Sequence, residues 1–436
     1  MTMNPKAIMY ALFCTCVLSS AGHAGVWTLE RTVETALRES NRVAVERLEA
    51  DEAFLDARTA ESGILPTLSF SAGANYISEV MKIDLPFKSV RFGDYDSYDM
   101  SVSMNQLLYD GGRLKALKKA NEEQSAMNIH EAESEARAVE FQAKAVFFTL
   151  VMAEQSRLAA EESLAEAQNH LGDVEALHGQ GMALEIDVLK ARLRVSHAEM
   201  ELYERTAAIE KAKAGFRKIA GCAPDDEVEI VWDNRGHDQV PVKNHGNAFS
   251  TLPEFMALDT AIRAAENRTR VVSADMKPQV GLFGKYSYGK PGLDLPKNEW
   301  MDYFSGGIQV KYNLWDWGKN RRESEKALIA ALKLKKVRDD LKRAIAQQIT
   351  EAYADYDEAV KRTELAAESE RLARRQLEMA SVSYREGAST ETDYDNAHAS
   401  FTRSIYESTM ANAALWISMA KIDYIMGIRS AGGNHE

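Results

Sequence analysis

Apolar and polar side chains alternate in four short stretches of the chain. From Pro66 to Tyr76, the residues Leu68, Phe70, Ala72, Ala74 and Tyr76 alternate with Thr67, Ser69, Ser71, Gly73 and Asn75. From Tyr98 to Asn105, Tyr98, Met100, Val102 and Met104 alternate with Asp99, Ser101, Ser103 and Asn105. Val280, Leu282, Gly284, Tyr286 and Tyr288 form a third such series, and Phe304, Gly306, Ile308, Val310, Tyr312 and Leu314 a fourth. Period two is the mark of a strand with one apolar and one polar face. It predicts strands at about 66–76, 98–108, 278–288 and 303–314. Strands of this length also suit a tilted crossing of a bilayer. Tyr98, Tyr109, Trp300, Tyr303, Trp315 and Trp317 stand near the strand ends, where an interfacial belt favours Tyr and Trp. Alternation alone fits two hairpins on a soluble core equally well.

Between the strands the period changes. The nine prolines are at 5, 66, 86, 224, 241, 253, 278, 291 and 296, so two long stretches have none. These stretches are rich in Ala, Glu, Lys, Arg and Leu, the good helix formers. Helices are predicted over about 112–178 and 318–384, with return helices over about 183–221 and 388–427. The 112–178 helix would measure roughly 100 Å at 1.5 Å per residue, so it must be bundled with others. In the first return helix Val188, Ala191, Val195, Ala198, Leu202, Arg205, Ile209, Ala212, Phe216 and Ile219 follow 3-4 spacing, and only Arg205 is polar. Tyr394, Ala397, Phe401, Ala411, Leu415, Ile422 and Ile425 hold the same register in the second. Gly181 and Gly387 fall where the chain reverses and suit a left-handed C-cap. Glu185, Asp187, Glu391, Asp393 and Asp395 follow them in the first turns of the return helices, where acids complement the dipole.

The chain repeats itself. Leu108-Tyr109-Asp110-Gly111-Gly112 matches Leu314-Trp315-Asp316-Trp317-Gly318 at an offset of 206 residues. Gly181 with Asp187 matches Gly387 with Asp393, Ala191 matches Ala397 and Gly221 matches Gly427 at the same offset. Upstream, Pro66 and Tyr76 match Pro278 and Tyr288 at an offset of 212. A fixed offset over this length is a tandem duplication. The layout that follows is a first repeat over 25–221, a linker over 222–252, a second repeat over 253–427 and a tail over 428–436.

Residues 1–24 read as a signal peptide: Lys6, a short apolar run from Ala7 to Leu18, and the small residues of Ala21-Gly22-His23-Ala24 before the expected cut. Cleavage after Ala24 leaves Cys222 as the one cysteine, so no intramolecular disulfide and no cysteine metal site are expected. The net charge of −13 argues against nucleic acid as a partner, since phosphate binding needs clustered cations. The nine His show no His-Glu-x-x-His, and Gly-x-Ser-x-Gly, phosphate loops and paired dinucleotide motifs are missing. No catalytic residue, metal site or cofactor is therefore expected. A sheet in hydrocarbon must close on itself, and the smallest membrane barrels have about eight strands. With four strands per chain, several copies must share one barrel; two would give eight strands and three would give twelve.

The signal peptide, the duplication, a strand pair before each long helix, and Tyr-x-x-Gly-x5-Asp-x3-Ala at the second turn (Tyr384, Gly387, Asp393, Ala397) together resemble the TolC family of outer-membrane efflux proteins. Asp110-Gly111-Gly112 and Asp316-Trp317-Gly318 are similar to that family's strand-to-helix junctions. The resemblance implies a mainly α fold with a β-barrel contribution: a homotrimer whose twelve-stranded transmembrane barrel in outer-membrane lipid stands on an α-helical barrel in the periplasm. It implies a mixed equatorial layer around 222–252 with both termini. It implies a passive exit duct for tripartite efflux or type I secretion, with a periplasmic adaptor and an inner-membrane pump of RND or ABC type as partners. It places a gate at the helix turns, among Gly181, Glu185, Asp187, Tyr384, Gly387, Glu391, Asp393 and Asp395. The first repeat departs from the pattern with Asn41-Arg42 and with His178 where the second has Tyr384, and Ser389 and Asn396 stand at gate positions. The rival expectation is a periplasmic coiled-coil structural or adaptor protein without a pore.

Overall fold

A computed structural model describes residues 25–92, 94–232, 251–293 and 298–428. The expected signal peptide, most of the expected 222–252 linker and all but the first residue of the expected tail lie outside the described residues. In chain order the elements are β1 (Gly25–Trp27), α1 (Leu29–Glu39), α2 (Asn41–Ser62), β2 (Thr67–Tyr76), β3 (Met81–Leu85), β4 (Lys88–Phe92), β5 (Asp96–Tyr109), α3 (Arg113–Gly179), α4 (Glu185–Ala220), β6 (Val228–Ile230), α5 (Pro253–Ala274), β7 (Gln279–Lys290), β8 (Met301–Lys311), α6 (Lys319–Arg385) and α7 (Glu391–Met426). The four long strands and four long helices begin and end within a few residues of the limits that alternation and proline set. No helix among the described residues is long and apolar enough to cross a membrane.

The chain divides into two compact units, residues 42–134 with 249–344 and residues 1–41 with 135–248 and 345–436. The first holds the sheet. Its four long strands run in the order β2-β5-β7-β8, every neighbour antiparallel. The β5–β7 ladder joins the two repeats through one bulge between Leu107 and Tyr109. The β3–β4 hairpin, which sequence alternation did not mark, lies between β2 and β5 in the chain.

Register sorts the side chains into two faces. Leu68 opposes Met104, which opposes Gly284, which opposes Gly306; Phe70 opposes Val102, which opposes Tyr286, which opposes Phe304. On the other face Ser71, Ser101, Ser287 and Tyr303 share one rung. The apolar face is not packed on a core: Leu68 is 75% exposed, Phe70 70% and Phe304 73%. An exposed apolar face of this extent marks a membrane or partner surface, which disfavours hairpins packed on a soluble core.

The second unit is a pair of helical hairpins with a small layer beside them. Every position of the first return-helix seam is buried or half-buried, and so is every position of its copy. Arg205, its polar member, pairs with Glu201 at 2.9 Å and lies 4.2 Å from the Tyr406 ring centroid. β1 and β6 pair in parallel, where the equatorial layer was expected. They cover a cluster of Trp27, Phe147, Phe148, Phe216 and Val228, with Trp232 and Trp416 against it. Two helices open the first repeat: Ser40 is extended (φ −72°, ψ 107°), so α1 and α2 are separate.

Candidate functional site: the hairpin turns and the sheet faces

The two turns reverse the chain in the same way. Gly181 and Gly387 have φ of 73° and 72°, the left-handed conformation that glycine adopts without strain. Met182 N–H reaches back to Leu177 O at 2.9 Å, and Ala388 N–H to Ser383 O at 2.8 Å, satisfying carbonyls that the helix ends leave free. The return helices start on caps. Thr390 Oγ1 accepts from Asp393 N–H at 3.2 Å, and Asp393 Oδ2 accepts from Thr390 N–H at 2.9 Å. The Thr390 hydroxyl and N–H hold the Asp393 carboxyl below its usual range. In the first repeat Asp187 Oδ2 accepts from Leu184 N–H at 3.2 Å, with no side-chain acceptor on Leu184 to reciprocate. Glu185 and Asp393 are exposed, and Asp187 and Asp395 half-buried.

Glu391 differs from its acidic neighbours in being buried. It is 3% exposed and accepts two charge-assisted bonds: Oε2 from His170 Nε2 at 2.8 Å and Oε1 from Arg194 Nη2 at 2.9 Å. Arg194 also pairs with Asp395. Burial pushes the Glu391 carboxyl up, but the bonds and charges of His170 and Arg194 outweigh it and hold the pKa low. The reason is positional. Glu391 is the first residue of α7 and turns inward between the hairpins, whereas Asp393 turns back to its own helix end. Tyr384 packs with Val174, Val188 and Ala191, and burial lifts its phenol to about 12. His178, its counterpart, stays exposed on the Ala183 carbonyl at 2.9 Å. Sequence reading missed His170, Arg194, Tyr394 and His398 as members of this cluster. Tyr394 stacks on His170, and His398 Nε2 lies 3.2 Å from Ser163 O. The spacing within one helix carried no signal of a contact across 221 residues.

Five of the six aromatics expected in a belt fall into two groups. At one end of the sheet Trp300 stacks on Tyr98 (centroids 5.7 Å) and on Tyr288 (5.0 Å). At the other end Tyr109, Trp315 and Trp317 are all exposed. Tyr303 joins neither group, because its register sets it on the serine rung of the polar face. The strand-to-helix junctions repeat one device: Asp110 Oδ1 accepts from Gly112 N–H at 2.9 Å, and Asp316 Oδ1 from Gly318 N–H at 2.9 Å. No group of three His, Cys, Asp or Glu among the described residues is placed to hold a metal ion.

The family model of the outer membrane efflux protein matches residues 32–222 and 246–427. No curated protein matches the chain. Solved structures share its fold. The outer membrane protein VceC of Vibrio cholerae is 16% identical with a TM-score of 0.76, covering 92% of this chain and 96% of its own. The CmeC outer membrane channel of Campylobacter jejuni is 15% identical with a TM-score of 0.78, at 92% and 85%. CusC, described as forming a transmembrane channel, is 14% identical with a TM-score of 0.81, at 94% and 95%.

Proposed function

The chain belongs to the outer membrane efflux protein family, and from that premise we propose that three copies close a twelve-stranded barrel over a helical duct that carries cargo out of the periplasm. It is an efflux channel of the outer membrane with its helical part in the periplasm. The observation that carries the trimer is the sheet: one face apolar and exposed, the other polar, with β2 and β8 each paired on one side only among the described residues. A sheet in hydrocarbon cannot keep open edges, so β2 of one copy must meet β8 of the next. Three copies give a lumen wide enough for passage, lined by the serine rungs.

The duct does no chemistry. Energy comes from an inner-membrane pump of RND or ABC type, reached through a periplasmic adaptor, as the family resemblance implies. The constriction sits at the turns of Gly181 and Gly387, where Glu185, Asp187, Asp393 and Asp395 bring carboxylates to a narrow ring and favour cations. Tyr384 and Glu391 act behind that ring, tying the hairpins. The exposed apolar face speaks against an adaptor without a pore. Outer-membrane fractionation and gel mobility without boiling test the reading. The expected result is a heat-labile trimer in the outer membrane. A monomer that stays dissolved without detergent would overturn it.

A further inference from the structure

The helix-bearing end of the sheet carries a surface that the duct does not need. Both long helices open there with cations and no acid in the first turn: Arg113 and Lys115 in α3, Lys319, Arg321 and Arg322 in α6. Cations are the sign a helix N-terminus disfavours, and the capping carboxylates of Asp110 and Asp316 offset them there. The return helices carry the favoured sign, with Glu185 and Asp187 in α4 and Glu391 and Asp393 in α7. The inversion occurs in both repeats, in a chain whose net charge is −13.

A second local rule is broken at the same place. Trp317 has φ of 57°, a conformation that disfavours bulky side chains, yet its ring is 81% exposed and touches Trp315 edge-on at 5.7 Å. Among the described residues its one ring contact is with Trp315. The position 206 residues earlier is Gly111, where a Cβ would come 2.8 Å from Lys277 Cβ. The two junctions meet at one level: Lys277 Nζ donates to Gly111 O at 3.0 Å, and Asn320 Nδ2 donates to Asp275 O at 3.4 Å. Lys115, Lys119 and Lys319 are exposed, and Arg321 shares its charge with Glu325 across 3.0 Å in an open, easily exchanged pair. The rungs at the opposite end of the sheet are acidic, with Asp96, Asp99 and Asp302 against Lys290.

We infer that Lys115, Lys119, Lys319 and Arg321, with the indoles of Trp315 and Trp317, form a collar that seats on anionic glycerophospholipid headgroups at the periplasmic surface of the outer membrane. The inference rests on the outer-membrane reading. The collar continues the exposed apolar face of the sheet, so cations and indoles fall where hydrocarbon gives way to phosphate. Indoles favour that depth, and clustered Lys and Arg are drawn to anionic lipid. The strain at Trp317 is then the local cost of holding its indole at the lipid surface.

The test reconstitutes the mature protein in phosphatidylcholine nanodiscs with and without phosphatidylglycerol. Phosphatidylglycerol is expected to raise the melting temperature by several degrees, a gain that salt erodes. The Lys115→Gln, Lys119→Gln, Lys319→Gln, Arg321→Gln combination should lose the gain while melting normally in phosphatidylcholine. Trp317→Gly should melt no lower than the parent in phosphatidylcholine, and brominated lipid should quench its tryptophan fluorescence less than the parent's. Equal melting in both lipids, or a gain that survives in the fourfold variant, overturns the collar alone. Failure to enter either nanodisc overturns the outer-membrane reading with it.

Discussion

His170 and Tyr394 lie face to face, their ring centroids 3.4 Å apart and their planes 8° from parallel. One ring comes from α3 and the other from α7, so the stack joins the two hairpins. It aims His170 Nε2 at Glu391, while the Arg194 guanidinium lies 4.9 Å from the Tyr394 ring centroid. Three helices thus converge on a carboxylate that water scarcely reaches.

Removing that carboxylate takes away the acceptor of His170 Nε2 and leaves the Arg194 guanidinium with Asp395 alone. Glu391→Ala is expected to destabilise the hairpin unit by about 3–5 kcal/mol, the usual result of deleting one partner of a buried pair. Glu391→Gln keeps the shape and some of the hydrogen bonds, so it should cost less. Thermal melting and protease nicking at the two turns measure both. A Glu391→Ala protein that melts with the parent would show that the triad carries no stability.

Acid should loosen the same region in two stages. Burial holds the His398 imidazole below its ordinary value, so the fold prefers it neutral. That contribution is complete above about pH 6.5 and is lost as pH falls from there through the lowered folded value. Glu391 is also lowered, so its contribution is complete above the ordinary carboxylate range and is lost as pH falls through its own folded value. Melting temperature is expected to decline first below about pH 6.5 and again below about pH 4.5. His398→Gln should remove the first decline and spare the second. A melting temperature that does not change between these limits would contradict the assignment.

Asp393 and Asp395 stand at the proposed constriction. Their joint replacement by Ala is expected to raise single-channel conductance in planar bilayers and weaken the preference for cations. Asp395→Ala alone leaves Arg194 paired with Glu391, so the fold should hold. An unchanged current would place the constriction elsewhere.

The two glycines after Asp110 differ in what surrounds them. Both have positive φ, but a Cβ at Gly111 would meet Lys277 and the Ala274 carbonyl, whereas nothing lies within 4 Å at Gly112. Gly111→Ala is expected to cost about 1–3 kcal/mol more than Gly112→Ala, the range for overpacking. Chemical or thermal melts of the two variants compare them directly, and equal losses would mean that Lys277 yields freely.

Much of this architecture could be read from the chain. The seam from Val188 to Ile219 was legible because 3-4 spacing is a local property, and burial follows it residue by residue. The strands were legible because their two faces differ sharply in polarity. Tyr303 shares the face of Ser287, a parity that proximity to a strand end does not give. The triad of His170, Arg194 and Glu391 was out of reach. It depends on the relative register of helices from separate repeats, which no single helix encodes. The same limit hides the burial of Glu391, which the sequence shows as one more acid in a first turn.

The open flanks of β2 and β8 bear on the life of the chain before assembly. A newly exported copy offers unsatisfied amides on both sides and an oily face between them, which invites holdase chaperones to keep it apart from its sisters. For the proposed trimer, strand addition by itself does not set the number of copies; the same edge-to-edge contact could propagate into a fibre. The angle each copy imposes on the next must therefore decide between a finite ring and runaway polymer, and changes that flatten the sheet would be toxic before they were leaky.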